Sequence, residues 1–285
     1  MRSTYQKYFT LSYDDGLQQD KEIISLLRKY GVKATFNLNS GLFGQQMDIE
    51  YISTFGFRTA PEGTGRKNFF IHSAPCVRIP EDEIRQVYEG FEIATHGATH
   101  ARLSDLSGPE LEKELLVDRQ KLQHFSDLPV VGHAYPSGAG GQKAETFLRE
   151  HDFLYARTVM NTKGHTWKRF SFPENPLVWN PTCWHINRDI EKLLDLFLSL
   201  PADQGDMVFF MWGHGYELDF DAMKKRHFRE TFERMLDKVA CDDSVIKCTN
   251  AEAIRAHFGI GQQAKQQTRQ KAATPASEEG KEAEL

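Results

Sequence analysis

The stretch Phe9-Thr10-Leu11-Ser12-Tyr13-Asp14-Asp15-Gly16 runs an apolar, aromatic pattern straight into two adjacent carboxylates and a glycine. Such residues predict a strand over 8–13, with reactive groups waiting at its C-terminal end. Working outward, the arrangement recurs. Residues 91–95 lead into His96-x-x-x-His100, 130–135 into Pro136-Ser137-Gly138, and 207–212 into Gly213-His214-Gly215. Further strands are predicted at 34–38, 155–158, 177–180 and 245–248. Helical patterns fall between or after them: 20–30 stopping at Gly31, 107 to about 125, 144–151, 190–200, 222–239 and 251–258. The second of these opens with Ser107-Gly-Pro-Glu110, a capping-box spacing with proline in the first turn.

Strands alternating with helices predict parallel βα units. Seven or eight of them fit a closed or nearly closed α/β barrel, a distorted (β/α)7–8 barrel, better than an open sheet. In a barrel of this kind the strand ends converge on one rim, where the chemistry gathers.

With 285 residues, 40% hydrophobic content and 20 phenylalanines, the chain can build one core. A single domain is expected over 1–261. Residues 40–80 break the βα rhythm and read as an insertion with a hairpin around 68–79, either on the active-site side, where it would shape substrate access, or as a plain surface excursion. From Gln262 onward there is no aromatic residue, so too little apolar area is available to offset chain entropy, and a disordered tail is expected over 262–285. The net charge of −5 with scattered basic residues argues against nucleic acid or an anionic membrane as partner. A first strand so close to Met1 leaves neither a signal peptide nor a membrane span. Four dispersed cysteines without a C-x-x-C pair suit a reducing compartment, so the expected location is cytoplasmic.

Asp14 and Asp15, side by side at a strand end, point two carboxylates in different directions, so one can bind a metal while the other stays a base. The tripeptide alone also suits a plain turn. His96 and His100, four apart, put two imidazoles on one face of a helical turn, suited to one ion; alone they could be surface histidines. Two imidazoles with one carboxylate leave positions open for water and substrate, the pattern of a catalytic site. The expected cofactor is a divalent metal ion, zinc by default, though nitrogen and oxygen ligands suit other first-row ions. His214 stands between two glycines after a very apolar strand, and Glu217 either orients it or faces solvent.

These four fragments, in this order, resemble the polysaccharide deacetylases of the NodB-homology class, carbohydrate esterase family four. The resemblance spans residues 5 to about 260. Tyr13-Asp14-Asp15-Gly16, His96-Gly-Ala-Thr-His100, Pro136-Ser137-Gly138 and Trp212-Gly-His214 match its motifs. It implies a NodB-like barrel and a metal-dependent hydrolase that removes N-acetyl groups from a sugar, oligosaccharide or polysaccharide. By position it implies Asp14 as general base, Asp15, His96 and His100 as metal ligands, and His214 as general acid. The backbone N–H of Ser137 would hold the oxyanion, and Tyr135 and Pro136 would border the substrate. Two places depart from the family pattern. Ala134 stands where an arginine usually steadies the catalytic aspartate, and Arg157 could supply that guanidinium from the next strand. The family's tryptophan-bearing wall has Trp179, Trp184 and His185 as nearest counterparts. Relatives on this barrel also cleave cyclic amides or O-acetyl groups, and a non-catalytic carbohydrate-binding relative is the remaining alternative.

Overall fold

The computed structural model describes residues 5–53, 70–138, 140–218 and 228–260. Its first half contains β1 (Lys7–Asp14), α1 (Asp20–Tyr30), β2 (Thr35–Leu38), β3 (Gln46–Ser53), β4 (Phe70–Val77), α2 (Ile84–Val87) and β5 (Glu92–Thr95). A composite helix follows, made of α3 (Gly108–Glu112), a π-turn (Lys113–Val117) and α4 (Asp118–Gln123). The second half contains β6 (Gly132–Ala134), α5 (Gly141–Glu150), β7 (Tyr155–Arg157), β8 (Cys183–Trp184), α6 (Ile190–Ser199), β9 (Met207–His214), α7 (Phe228–Ala240), β10 (Val245–Lys247) and α8 (Asn250–Phe258).

The main sheet runs β7-β6-β5-β2-β1-β9-β8, with β10 paired to the first residues of β1. All of these pairings are parallel. β1 is buried along its whole length although Phe9-Thr10-Leu11-Ser12-Tyr13 alternates, because its polar face is paired: Thr10 Oγ1 donates to Asn250 Oδ1 and Ser12 Oγ accepts from Asn37 Nδ2. It pairs with β9 from Lys7↔Met207 to Asp14↔His214, so the first aspartate and the late histidine end side by side. Past β7 the chain bridges from Arg157 to Trp179, then from Thr182 and His185 onto Phe210 and Trp212 of β9. This 179–185 seam curls the sheet into a distorted α/β barrel.

α1 stops where predicted because Gly31, at φ 65°, takes the left-handed cap and returns its N–H to Arg28 and Leu27. At the opposite end of the barrel from the strand C-termini, the buried Glu92 carboxylate accepts from Thr35 Oγ1 (2.9 Å), Tyr155 OH (2.8 Å) and Ala251 N (2.9 Å). It ties β2, β7 and α8 together at the base.

Two expectations require correction. The strand predicted at 177–180 is a short helical turn, Pro176–Val178, followed by a single bridge at Trp179. Proline at its start and Asn175, whose side chain accepts from Leu177 N, favour that turn. The hairpin expected within 68–79 is formed instead between β3 and β4, from Gln46↔Val77 to Ser53↔Phe70. The tail expected at 262–285 lies outside the described residues. The hairpin's exit is pinned to the end of β1: Arg78 bridges Leu17, Gln18 N donates to Val77 O, and Ile79 N to Gly16 O. The insertion therefore joins the rim where the reactive residues meet.

Candidate active site

The chain turns sharply where β1 ends. Asp15 has φ 78° and Gly16 φ 66°, a left-handed pair that glycine takes freely and aspartate tolerates better than most residues. That turn gives the two carboxylates different partners. Asp14, 2% exposed, receives both of its oxygens' bonds from Arg157 Nη2 at 2.6 and 2.5 Å. Asn37 Nδ2 adds a bond to Oδ1 at 2.8 Å. Arg157 reaches it because β7 is in register with β6, with Ala134 directly opposite Arg157. Arg157 therefore reaches Asp14 from the strand beside Ala134, and its guanidinium lies 4.8 Å from the centre of the Trp212 ring. Burial alone would raise the Asp14 carboxyl, but Arg157, then His96 and His214, outweigh it and hold it below the usual range.

Asp15 lies beside Asp14, and His96 Nε2 stands between the two carboxylates, 3.8 Å from Asp14 Oδ2. Asp15 Oδ1 lies 3.9 Å from His96 Nε2 and 3.8 Å from His100 Nε2, and the three ligand atoms lie within 4.8 Å of one another. The H-x-x-x-H segment is a looped turn rather than a helix, with Gly97 at φ 73° and His100 at φ 59°. It is braced from both sides. Asn39 Nδ2 donates to the carbonyls of His96 and Gly97 at 2.7 Å each. Glu114, on the π-turn, accepts from Thr99 N (2.9 Å) and Thr99 Oγ1 (2.6 Å), and its own carbonyl takes Ala98 N. Neither Asn39 nor Glu114 carries a sequence signal that would single it out; a π-turn is a frequent companion of functional sites but is visible only in the backbone.

The donor set suits a divalent ion. His96 Nδ1 is engaged by Ala134 O at 2.8 Å, which leaves Nε2 turned toward Asp15. Burial, offset in part by Asp14, pushes the His96 imidazole down to about 4, so the ring is neutral, as a ligand must be. Arg78, at the hairpin exit, places Nη2 3.5 Å from Asp15 Oδ1.

His214 ends β9 with Nε2 3.9 Å from Asp15 Oδ2. Its Nδ1 lies 3.0 Å from Glu217 Oε1, and its backbone N–H donates to Glu217 Oε2 at 2.8 Å. Glu217 is buried, so it orients the histidine rather than meeting solvent. Trp184 Nε1 donates to the same carboxylate at 3.0 Å, and His185 Nε2 lies 2.7 Å from it. Burial would raise Glu217, but His214 and His185 hold it far below the carboxylate range. Burial would lower His214, but the Glu217 charge and bond, then Asp15 and Asp14, carry it up to about 9. The flanking glycines have steric causes: a Cβ at Gly213 would meet His185 at 2.7 Å, and one at Gly215 would meet Asp20 Oδ1 at 2.6 Å.

Ser137 sits in the left-handed region (φ 55°) between Pro136 and Gly138. A Cβ on Gly138 would stand 2.4 Å from Val159, so this turn has room for no other residue. Of the residues expected at the substrate, Trp184 is 36% exposed and stacks on Trp212 at 5.6 Å beside His214. Tyr135, Pro136 and His185 are placed differently. Tyr135 is buried with its hydroxyl donating to Leu177 O, Pro136 is buried behind the turn, and His185 packs under Gly213 against Tyr13. Trp179 is core, packed on Phe210 and Tyr155.

The sequence profile of the family described as polysaccharide deacetylase matches residues 2–156. The chain belongs to that family. Among solved structures, a Mycobacterium smegmatis protein assigned to the polysaccharide deacetylases aligns over 99% of this chain and 97% of its own, at 14% identity and a TM-score of 0.55. The Streptococcus pyogenes deacetylase PplD, solved with acetate, aligns over 59% of this chain at 17% identity and a TM-score of 0.42. A Bacillus anthracis pseudoenzyme of carbohydrate esterase family four aligns over 82% at 14% identity and a TM-score of 0.45. The chain spans 61% of the Streptococcus protein and 60% of the Bacillus one. At 14% identity the Mycobacterium match carries the fold alone. No curated protein matches the chain. Among the described residues, no helix is long and apolar enough to cross a membrane.

Proposed function

We propose that this polysaccharide deacetylase family member is a metal-dependent hydrolase that removes N-acetyl groups from a carbohydrate, releasing acetate. The observation that carries the reading is the division of labour around one point. Asp15, His96 and His100 converge there, with the Arg157-bound Asp14 on one side and the Glu217-bound His214 on the other.

Asp15, His96 and His100 would hold a divalent cation, and their two nitrogens and one oxygen suit zinc or another first-row ion. Such an ion supplies a Lewis acid that acidifies water and polarises a carbonyl oxygen. Asp14, kept ionised by Arg157, takes the proton of the attacking water. The Ser137 N–H is the candidate donor for the oxyanion of the tetrahedral intermediate. His214, charged well above neutral pH, gives a proton to the departing nitrogen. An amine leaves an amide carbon only once protonated, which favours an N-acetyl over an O-acetyl substrate. Trp184, stacked on Trp212 at the edge of the site, offers a face for a sugar ring.

The test is acetate release by metal-stripped and reloaded protein from N-acetylated glycans, O-acetylated glycans and cyclic ureides. The proposal expects metal-dependent release from the N-acetyl set. Release confined to esters or ureides would replace the substrate, and glycan binding without any release would make the chain a non-catalytic binder.

A further inference from the structure

Each of the adjacent carboxylates has a buried guanidinium of its own. Arg157 comes to Asp14 from β7, and Arg78 comes to Asp15 from the exit of the β3–β4 hairpin. Arg78 is 2% exposed, and its backbone is fixed: its N–H donates to Gln45 O, it bridges Leu17, and Ile79 N donates to Gly16 O.

The oxygen that Arg78 touches determines its effect. Asp15 Oδ1 is the atom turned toward His96 and His100, at 3.9 and 3.8 Å; Oδ2 is the one turned toward His214. A partner that supported a ligating carboxylate from outside would donate to the oxygen turned away from the ion. Arg78 Nη2, at 3.5 Å, sits on the oxygen offered to it. Its fixed positive charge and that of an incoming cation therefore draw on the same lone pairs, in a site with little water to screen them.

We propose that Arg78 is a positioning residue that holds the ligating carboxylate of Asp15 before a cation enters and limits how tightly the cation then binds. This gives the inserted hairpin a role in the site: its exit strand supplies the charge that keeps the ion exchangeable. The inference rests on the Asp15-His96-His100 reading above.

The experiment titrates the metal-stripped full chain with Zn2+ and with Co2+ calorimetrically, comparing wild type with Arg78→Gln, Arg78→Met and Arg78→Lys. Arg78→Gln and Arg78→Met are expected to bind at least about tenfold more tightly, because a like charge close to the ion is removed, and Arg78→Lys to stay within about threefold of wild type. An unchanged or weaker affinity in folded Arg78→Gln overturns the proposal, as does Arg78→Lys tightening as much as the uncharged variants. If Arg78→Met does not fold, Arg78→Gln, which keeps polarity and loses charge, carries the same comparison. Wild-type protein that binds neither ion overturns the metal reading itself, a result distinct from any effect of Arg78.

Discussion

At the scale of single residues, the adjacent aspartates have different surroundings and so separable consequences. Asp14→Asn keeps the shape and the Asn37 contact but loses the base; acetate release should fall roughly 10²–10⁴-fold with metal content unchanged in elemental analysis. Arg157→Met removes the group that holds the Asp14 carboxyl down against burial. The base must be ionised to act, so the acidic limb of the kcat/KM profile should move to higher pH. An unmoved limb would take Arg157 out of the mechanism. In the proposed mechanism the alkaline limb belongs to His214, which must carry its proton. Without its carboxylate partner it loses that proton earlier, so Glu217→Gln should bring the limb down by about one to three units. The convergence of Asp14, Asp15, His96 and His214 was legible in the sequence because each sits at or just after the end of an apolar strand. Arg78, Asn37 and Asn39 were not, since their roles arise from pairing and turns that bring distant segments together. Tyr135 and His185 show a different limit: a polar tip beside a motif reads the same in sequence whether it meets substrate or, like these hydroxyl and ring atoms, bonds within the protein.

At the scale of elements, the H-x-x-x-H turn depends on a helix that does not look special. Lys113–Val117 is a π-turn, and its extra residue lets Glu114 present both its carboxylate and its carbonyl to Ala98 and Thr99. Glu114→Ala should weaken Zn2+ binding by about 10–100-fold while circular dichroism remains that of a folded barrel. Glu114→Gln, which can still accept from Thr99 N, should recover much of the loss. Equal affinity in Glu114→Ala would make the contact incidental to the ion. Strands and helices with strong periodicity were readable to within a few residues: α1 over Asp20–Tyr30, β9 from Met207 and α6 from Ile190. Cys183–Trp184 was not, because a strand of two residues has no period to detect, and the strand read at 177–180 shrinks to the one bridge at Trp179.

At the scale of the whole molecule, one buried carboxylate couples folding to pH. Asp20 lies between the β1–α1 turn, Tyr88 and Gly215, with Oδ2 accepting from Tyr88 OH at 2.8 Å and from Leu17 N at 3.2 Å. Burial, helped by the Asp15 charge and opposed by those two bonds, pushes its carboxyl up to about 8. The unfolded chain loses that proton near pH 4, so between about 4 and 8 the folded state binds more protons than the unfolded one. Stability from this group is complete below that window and is lost as pH rises through it. Asp20→Asn should therefore melt above wild type at pH 8.5 and no higher than wild type at pH 5. A constant difference between the two pH values would show that the buried acid does not titrate.

The 179–185 seam has a consequence of its own. Trp184 and His185, which stitch the last gap between β7 and β9, are the same two side chains that rest on Glu217. Fastening the cylinder shut and aiming His214, the proposed proton donor, are one mechanical act. A slip along that join would silence turnover while most of the cylinder still stood.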